Sequence, residues 1–484
     1  MRFTAKVLVG RPQQLLLNDC ACPSTTKRCQ NTYEENYNTS WYRSNTIYQQ
    51  PISTDYDLFC SSFGTANVAL LNRDAMEVLN SFTKPRLLGS VYDHLDLALG
   101  HIESVLQTII ELGLIVPVET RQATSTASFN ELVVWLHITN ACNLRCTYCY
   151  INKDKTQMTA ETAKDAVDAI FRTAVQHGFE SIQLKYAGGE PTLNPTLIRL
   201  VHERAVHLST ITNIAFHETV LSNGVFLPEE LLDYFRDEQI GLMISLDGLG
   251  EDHDRQRPLL QGAGSVNRVI ASVDQALKQG VKPHLSITVS GRNADSLPDV
   301  VAFALDRDLR FNLNFYRESD CSASVAELRN DQQQLIDGML AAFKVIEERL
   351  PRQRLIDSLL DRSSFHSPHT HACGAGHNYL VIGHHGDVAK CQMEIEQPIT
   401  NIYVEDPLSM IQQDYSTFRN ISVDEKEGCR DCSWRYWCAG GCSLLTMRAT
   451  GRTDVKSPYC EVYKVLYPEV LRLEGLRLLK WGSD

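Results

Sequence analysis

Long apolar runs are missing from this 484-residue chain: no stretch of eighteen apolar residues occurs, so the sequence offers no membrane-spanning helix. An export signal is missing too. The opening MRFTAKVLVGRPQQ is basic, but it has only a short apolar stretch and no small-residue cleavage site, so a cytoplasmic protein is expected. Positive charge is in short supply. Lys and Arg number 46 against 59 Asp and Glu, a net charge of −13, which argues against nucleic acid as a partner. There is no internal repeat and no low-complexity tract. Hydrophobic residues at 43% and charged residues at 22% are ordinary for a globular protein, and the length allows several domains. Cysteine, by contrast, is plentiful at 15. Without an export signal, such thiols point to metal or redox chemistry rather than to disulfides.

Residues 1–63 are polar and without clear periodicity, and an irregular region is expected there. A small module follows over 64–120. TANVALLN (65–72) predicts a strand. Asn72 then caps a helix with Met76, Leu79 and Phe82 on one face. Ile102, Val105, Leu106, Ile109 and Leu112 predict a second helix, ended by Gly113 and followed by a short strand. This order suggests a winged helix. RQATSTASFN (121–130) is a polar linker. From 131 to 320 strands and helices alternate, with strands predicted over 132–139, 181–187, 215–222, 240–247, 282–289 and 310–315. Six βα units predict an α/β domain with a parallel sheet or partial barrel. A mostly helical bridge is expected over 321–372. From 373 to 484 the chain is rich in Cys and Gly, short of long elements, and closed by a helix.

Cys142, Cys146 and Cys149 follow the first of these strands in a Cys-x3-Cys-x2-Cys spacing. Three thiolates on one short loop can hold three irons of a 4Fe-4S cluster and leave the fourth open. A zinc knuckle short of one ligand is the alternative. Three further motifs end the next three strands: YAGGEPTL (186–193), LSNG (221–224) and SLDG (245–248). All fall at the C-terminal ends of successive parallel strands, where barrel active sites are built. Gly188 and Gly189 lack side chains, which allows close backbone approach.

Over roughly 131–320 these motifs, together with SLDGLGEDHDRQRP, resemble radical S-adenosylmethionine (SAM) enzymes, and a partial (β/α)6 TIM barrel is the fold implied. In that family SAM chelates the open iron, and its reductive cleavage yields a 5′-deoxyadenosyl radical that takes a hydrogen atom from the substrate. The resemblance implies that Tyr148 packs by the cluster and adenine. It places Gly189 and Glu190 at the methionyl amino group, Ser245 and Arg257 at the ribose and carboxylate, and Gly188 among the cofactor-binding residues. Asn223 and Asp247 join them as further SAM contacts. A reductant such as flavodoxin or ferredoxin is implied as a partner.

The second cysteine group reads Cys-x12-Gly-x4-Cys (Cys373, Gly386, Cys391), then Cys-x2-Cys-x5-Cys-x3-Cys (Cys429, Cys432, Cys438, Cys442), then Cys460. A zinc ribbon is the plain alternative. The pattern resembles the SPASM extension of radical SAM peptide-modifying enzymes, which carries two auxiliary 4Fe-4S clusters, making three in all. By that resemblance Cys429, Cys432, Cys438 and Cys460 hold an outer cluster, and Cys373, Cys391 and Cys442 an inner one. Tyr379 stands where some relatives place a further cysteine.

SPASM enzymes act mostly on peptides or proteins. Two enzymatic readings compete: maturation of a ribosomally made precursor peptide, and formylglycine formation in a sulfatase by an anaerobic sulfatase-maturating enzyme. The second uses an Asp base directly after the Gly-x4-Cys cysteine. Here that residue is Gln392, which accepts no proton at neutral pH. The 64–120 module resembles the winged-helix domain that binds a leader peptide in many peptide maturases, so a leader-bearing precursor is the expected partner. A non-catalytic iron–sulfur electron carrier or redox sensor is the third reading. Cys20, Cys22 and Cys29 are expected to be free thiols. Cys321 is a candidate inner ligand or catalytic thiol.

Overall fold

The computed structural model describes residues 5–10, 39–62, 68–93, 95, 99–118, 129–366 and 368–482. Cys20, Cys22, Cys29 and most of the linker lie outside them. The N-terminal part holds β1 (Val7–Gly10), β2 (Ser40–Arg43), β3 (Tyr48–Pro51), β4 (Tyr56–Cys60) and β5 (Val68–Asn72). After these come α1 (Arg73–Asn80), β6 (Arg86–Leu87), α2 (Leu99–Glu111) and β7 (Ile115–Pro117). The strands form two antiparallel sheets, in orders β1-β5-β4-β3 and β6-β2-β7. Asn72 caps α1 as expected, accepting from Ala75 N at 3.0 Å.

The irregular region expected over 1–63 is therefore corrected for its described part. Four strands lie there, and the module reaches back before residue 64. These strands are short and carry polar residues at an edge, such as Gln49 and Gln50 of β3, so they give no periodic signal in the sequence. Alternation fixes the two faces of the larger sheet. Leu58, Cys60, Val68 and Leu70 pack into the main core, while Phe59, Ala69 and Leu71 pack with α1 and α2.

The central domain runs β8 (Glu131–Thr139), α3 (Ala160–His177), β9 (Ser181–Gly188), α4 (Pro195–Thr212), β10 (Ala215–Ser222), α5 (Glu229–Asp237) and β11 (Gly241–Ser245). It continues with α6 (Glu251–Gln256), α7 (Val266–Lys278), β12 (His284–Val289), α8 (Leu297–Asp306), β13 (Phe311–Phe315) and α9 (Gln332–Arg349). Strands β8 to β13 are parallel and in sequential order, as six βα units require. Leu132, Val134, Leu136 and Ile138 of β8 face the helical layer, and Val133 and Trp135 face the opposite side.

The last part holds β14 (Tyr379–Ile382), β15 (Asp387–Ala389), β16 (Thr400–Asn401), α10 (Pro407–Gln413), α11 (Arg435–Cys438), α12 (Ser443–Thr450) and α13 (Cys460–Trp481). It does not stand apart from the central sheet. β14 pairs parallel with β8, and β15 and β16 follow antiparallel, giving nine strands. The helical bridge is also corrected: helix covers Gln332–Arg349, and the chain to β14 runs through turns. α13 binds the parts together. Its Tyr463, Tyr467 and Val470 share one core with Leu58 of β4 and Phe343 of α9.

Candidate functional site

The C-terminal ends of β8 to β11 meet at one place, held by backbone bonds. Gly189 N donates to Thr139 O (2.6 Å) and Glu190 N to Ala141 O (2.8 Å), joining the turn after β9 to the start of the cysteine loop. Arg145 N donates to Pro258 O (2.8 Å) and Thr147 N to Gln256 O (2.9 Å), joining that loop to the segment after β11. The two glycines are needed by this packing. A Cβ on Gly188 would fall 2.4 Å from Thr139 O, and one on Gly189 2.3 Å from Ala141 O. The close approach they permit is to the chain's own backbone.

Glu190 is buried, and its carboxylate is filled from within. It accepts from Thr192 N (3.2 Å), Thr192 Oγ1 (2.6 Å), Ser222 Oγ (2.9 Å) and Asn223 N (2.6 Å). It thereby fixes the turn after β10, whose Asn223 Nδ2 donates to Asn143 Oδ1 (2.7 Å) and lies 3.7 Å from Cys142 Sγ. In this structure Glu190 positions the cysteine loop through Asn223. Ser245 is half-buried at the end of β11.

Asp247 is the second hub. Its wholly buried carboxylate accepts from Tyr148 OH (2.6 Å), Arg257 Nε (2.7 Å) and Thr288 N (2.9 Å). The Arg257 guanidinium stands over the Tyr148 ring at 5.3 Å and reaches within 4.0 Å of Cys146 Sγ. His253 supports the turn: its Nδ1 accepts from Asp247 N (3.3 Å) and its Nε2 faces Ser265 Oγ (3.1 Å). Burial pushes that imidazole down to about 4, so it is neutral at physiological pH, as an accepting Nδ1 requires. Burial pushes the Cys146 thiol up to about 11, against the pull of Arg257. Sequence, turn and charge thus place Cys142, Cys146, Cys149, Tyr148, Glu190, Asn223, Asp247 and Arg257 around one strand-end cradle.

The seven cysteines from Cys373 to Cys460 fall into two sets. Cys429, Cys432, Cys438 and Cys460 line one small pocket, beside Trp434 and Tyr467. Cys373, Cys391 and Cys442 are buried together with Tyr379, Phe418 and Trp135. Tyr379 OH donates to Gln392 Oε1 at 2.9 Å, and Cys391 Sγ lies 3.6 Å from the same oxygen. Burial pushes Cys391 and Cys438 up to about 12. For Cys442 burial would do the same, but the Arg317 and Arg362 guanidiniums carry it below its ordinary value. Among the described residues no three such side chains close around a single ion. Beside these sets lies Lys426, fully buried, whose ammonium donates to Ala439 O at 3.2 Å, next to Cys438, and whose backbone O accepts from Cys429 N at 3.2 Å. A buried cation beside these thiols fits anionic iron–thiolate groups there.

Several residues here had no sequence signal. Lys426 lies three residues before Cys429, and nothing in a lone Lys marks it as buried. Arg317 pairs with Asp361 (2.7 and 2.5 Å) across some forty residues of chain. Tyr150, next to Cys149, packs with the inner thiols and Trp135. His377 bonds Asn420 O and His384 bonds Thr156 Oγ1 rather than any thiol. Cys321 is exposed, 3.5 Å from Asn152 Oδ1.

Residues 136–304 match the radical SAM superfamily. The chain is 23% identical, over 67% of its length and 91% of the relative's, to the cysteine-type anaerobic sulfatase-maturating enzyme of Clostridium novyi (strain NT). Its fold is similar to native anSMEcpe with bound AdoMet (18% identity, TM-score 0.58), covering 73% of this chain and 99% of that one. It is likewise similar to Streptococcus suis SuiB bound to precursor peptide SuiA (14% identity, TM-score 0.50), covering 86% and 98%. No described helix is long and apolar enough to cross a membrane.

Proposed function

Since this chain carries a radical SAM domain and is related to sulfatase-maturating enzymes, we propose that it is a radical SAM maturase of a ribosomally made peptide. Cys142, Cys146 and Cys149 would hold the SAM-binding 4Fe-4S cluster, and Tyr148, Gly188, Gly189, Glu190, Asn223, Ser245, Asp247 and Arg257 would form the SAM cradle. Loaded with cluster and SAM, and given an electron by a flavodoxin or ferredoxin, such a site supplies a 5′-deoxyadenosyl radical. The chain's own contribution is position. Glu190 sets the cysteine loop through Asn223, and Asp247 aims Tyr148 and Arg257 at it. Cys429, Cys432, Cys438 and Cys460 would hold one auxiliary cluster, and Cys373, Cys391 and Cys442 the other. The zinc and electron-carrier readings leave the strand-end cradle without a purpose.

The observation that carries the peptide reading over formylglycine formation is Gln392. It stands where a sulfatase maturase places its Asp base, and its Oε1 accepts from Tyr379 OH. A neutral amide committed in this way removes no substrate proton. The N-terminal module adds support: among the described residues β1, β3, β6 and β7 are the edge strands of its two sheets, and an edge strand is where a leader peptide would add. The part of the chain covered also rises from 73% against anSMEcpe to 86% against SuiB.

The test is co-expression with a precursor encoded beside the gene, with mass spectrometry of the peptide. A mass change that free leader peptide suppresses in trans is expected. Conversion of a sulfatase Cys or Ser to formylglycine, with no effect of leader, would establish the other reading. Competition by free leader is a better probe than truncation, because Leu58 and Leu70 of the module share a core with α13.

A further inference from the structure

We propose that Lys426 is a counter-cation shared by the two auxiliary sites, and that its charge raises the reduction potentials of the clusters they hold. This rests on the reading above that both sites carry iron–sulfur clusters.

The case begins with burial. Lys426 has no solvent exposure and is among the largest fully buried side chains of the protein. Its place is made for it. Gly440, at φ 75°, leaves the space its stem occupies: a Cβ there would fall 2.5 Å from Lys426 Cδ and 2.9 Å from Nζ. An ammonium has three donors. The hydrogen bond formed by this one is to Ala439 O, at 3.2 Å. One neutral acceptor does not compensate the loss of water around a whole charge.

The fold sets it beside both groups of thiols: Cys429 N donates to Lys426 O at 3.2 Å, and Nζ bonds the carbonyl of Ala439, which lies between Cys438 of the outer set and Cys442 of the inner one; Ala439 and Cys429 pack in one cluster with Ala372, the neighbour of Cys373. Thiols that stayed protonated would leave the cation uncompensated. Thiolates bound to iron carry permanent negative charge, and burial of the cation then makes sense. A cluster gains one further negative charge on reduction. A fixed cation at its edge favours that state, and cluster potentials follow local charge, hydrogen bonding and exposure. Because Lys426 stands beside both sets, it acts on both potentials in the same direction. A purely structural role would need only the hydrogen bond to Ala439 O, which a neutral amide also donates.

The test compares the anaerobically loaded protein with Lys426→Met and Lys426→Gln. Iron and sulfide content come first. Wild-type iron of about four atoms per chain, rather than about twelve, would overturn the cluster reading and this proposal with it. With the clusters present, potentiometric titration followed by electron paramagnetic resonance measures each midpoint. In both variants the auxiliary signals should show a reduced-to-oxidised ratio at least tenfold lower at the wild-type midpoint, a shift of about 59 mV for one electron. The SAM-binding cluster should not move. Loss of auxiliary iron alone in both variants also supports the proposal, since the clusters then need the charge to assemble. Unchanged auxiliary potentials at full iron would overturn it. So would restoration by Gln, or failure of both variants to fold, because each would make Lys426 a structural group.

Discussion

Asp247→Asn changes no volume and removes one charge. The consequence follows from three contacts and one burial. The carboxylate is wholly buried and accepts from Tyr148 OH, Arg257 Nε and Thr288 N at 2.6, 2.7 and 2.9 Å. At an effective dielectric of about 20, its attraction to Arg257 is about 6 kcal/mol. Removing the two ions from water costs several kcal/mol each, so the intact pair is close to neutral for stability. Breaking it is different. Arg257 is 8% exposed, and without its partner it becomes a buried, uncompensated cation, which costs about 3–5 kcal/mol. The new amide also points a donor at a place where three donors already converge. Urea unfolding of the loaded protein should therefore show a loss of about 3–5 kcal/mol for Asp247→Asn. Arg257→Met should cost a similar amount, and the double variant well under the sum. SAM cleavage to 5′-deoxyadenosine should fall too, because Tyr148 and Arg257 lose their anchor. A loss below about 1 kcal/mol, or two losses that simply add, would show that Asp247 does not organise the cradle.

Gly189→Ala puts a methyl group 2.3 Å from Ala141 O and 2.6 Å from Asn140 O; the cysteine loop must move, and iron at the first site together with 5′-deoxyadenosine formation should drop while auxiliary iron stays. Cys142, Cys146 and Cys149 changed together to Ala should abolish SAM cleavage and leave about eight irons of about twelve; full cleavage in that variant would rule the assignment out. His202 is raised above its ordinary value, first by its hydrogen bond to Glu218, with Glu238 on its other nitrogen. Its folded-state value exceeds the unfolded one, so the stability it adds is full below about pH 6.5 and fades as pH rises through the folded-state value. Urea midpoints followed upward from pH 6 should decline, and His202→Gln should flatten the decline; identical slopes would show that another group titrates.

The six parallel strands and their helices were legible in order and, to within a few residues, in extent, because the strands are mostly apolar runs that alternate six times with amphipathic helices. Helix α3 starts at a Thr cap and ends at a left-handed glycine, and both signals are local. Strands β1 to β4 were not legible. They are four or five residues long and show no regular alternation, as in SWYR, YQQP and YDLFC, and only pairing across the sheet separates them from loop. Cysteine spacing singled out the ten thiols of the two patterns, since residues a few positions apart on one loop must lie near one another in space. Spacing says nothing of what surrounds them. That the last part of the chain adds β14 to the edge of β8 was decided by a strand pairing across more than 240 residues. That the Glu190 carboxylate is already filled by Thr192, Ser222 and Asn223 was decided by how two strand ends meet. That Lys426, one unremarkable lysine among 46 basic residues, is buried beside two sets of thiols was decided by the packing of Gly440 and α11 around it. Charge burial is a property of what closes over a side chain, and that depends on residues far away in the chain.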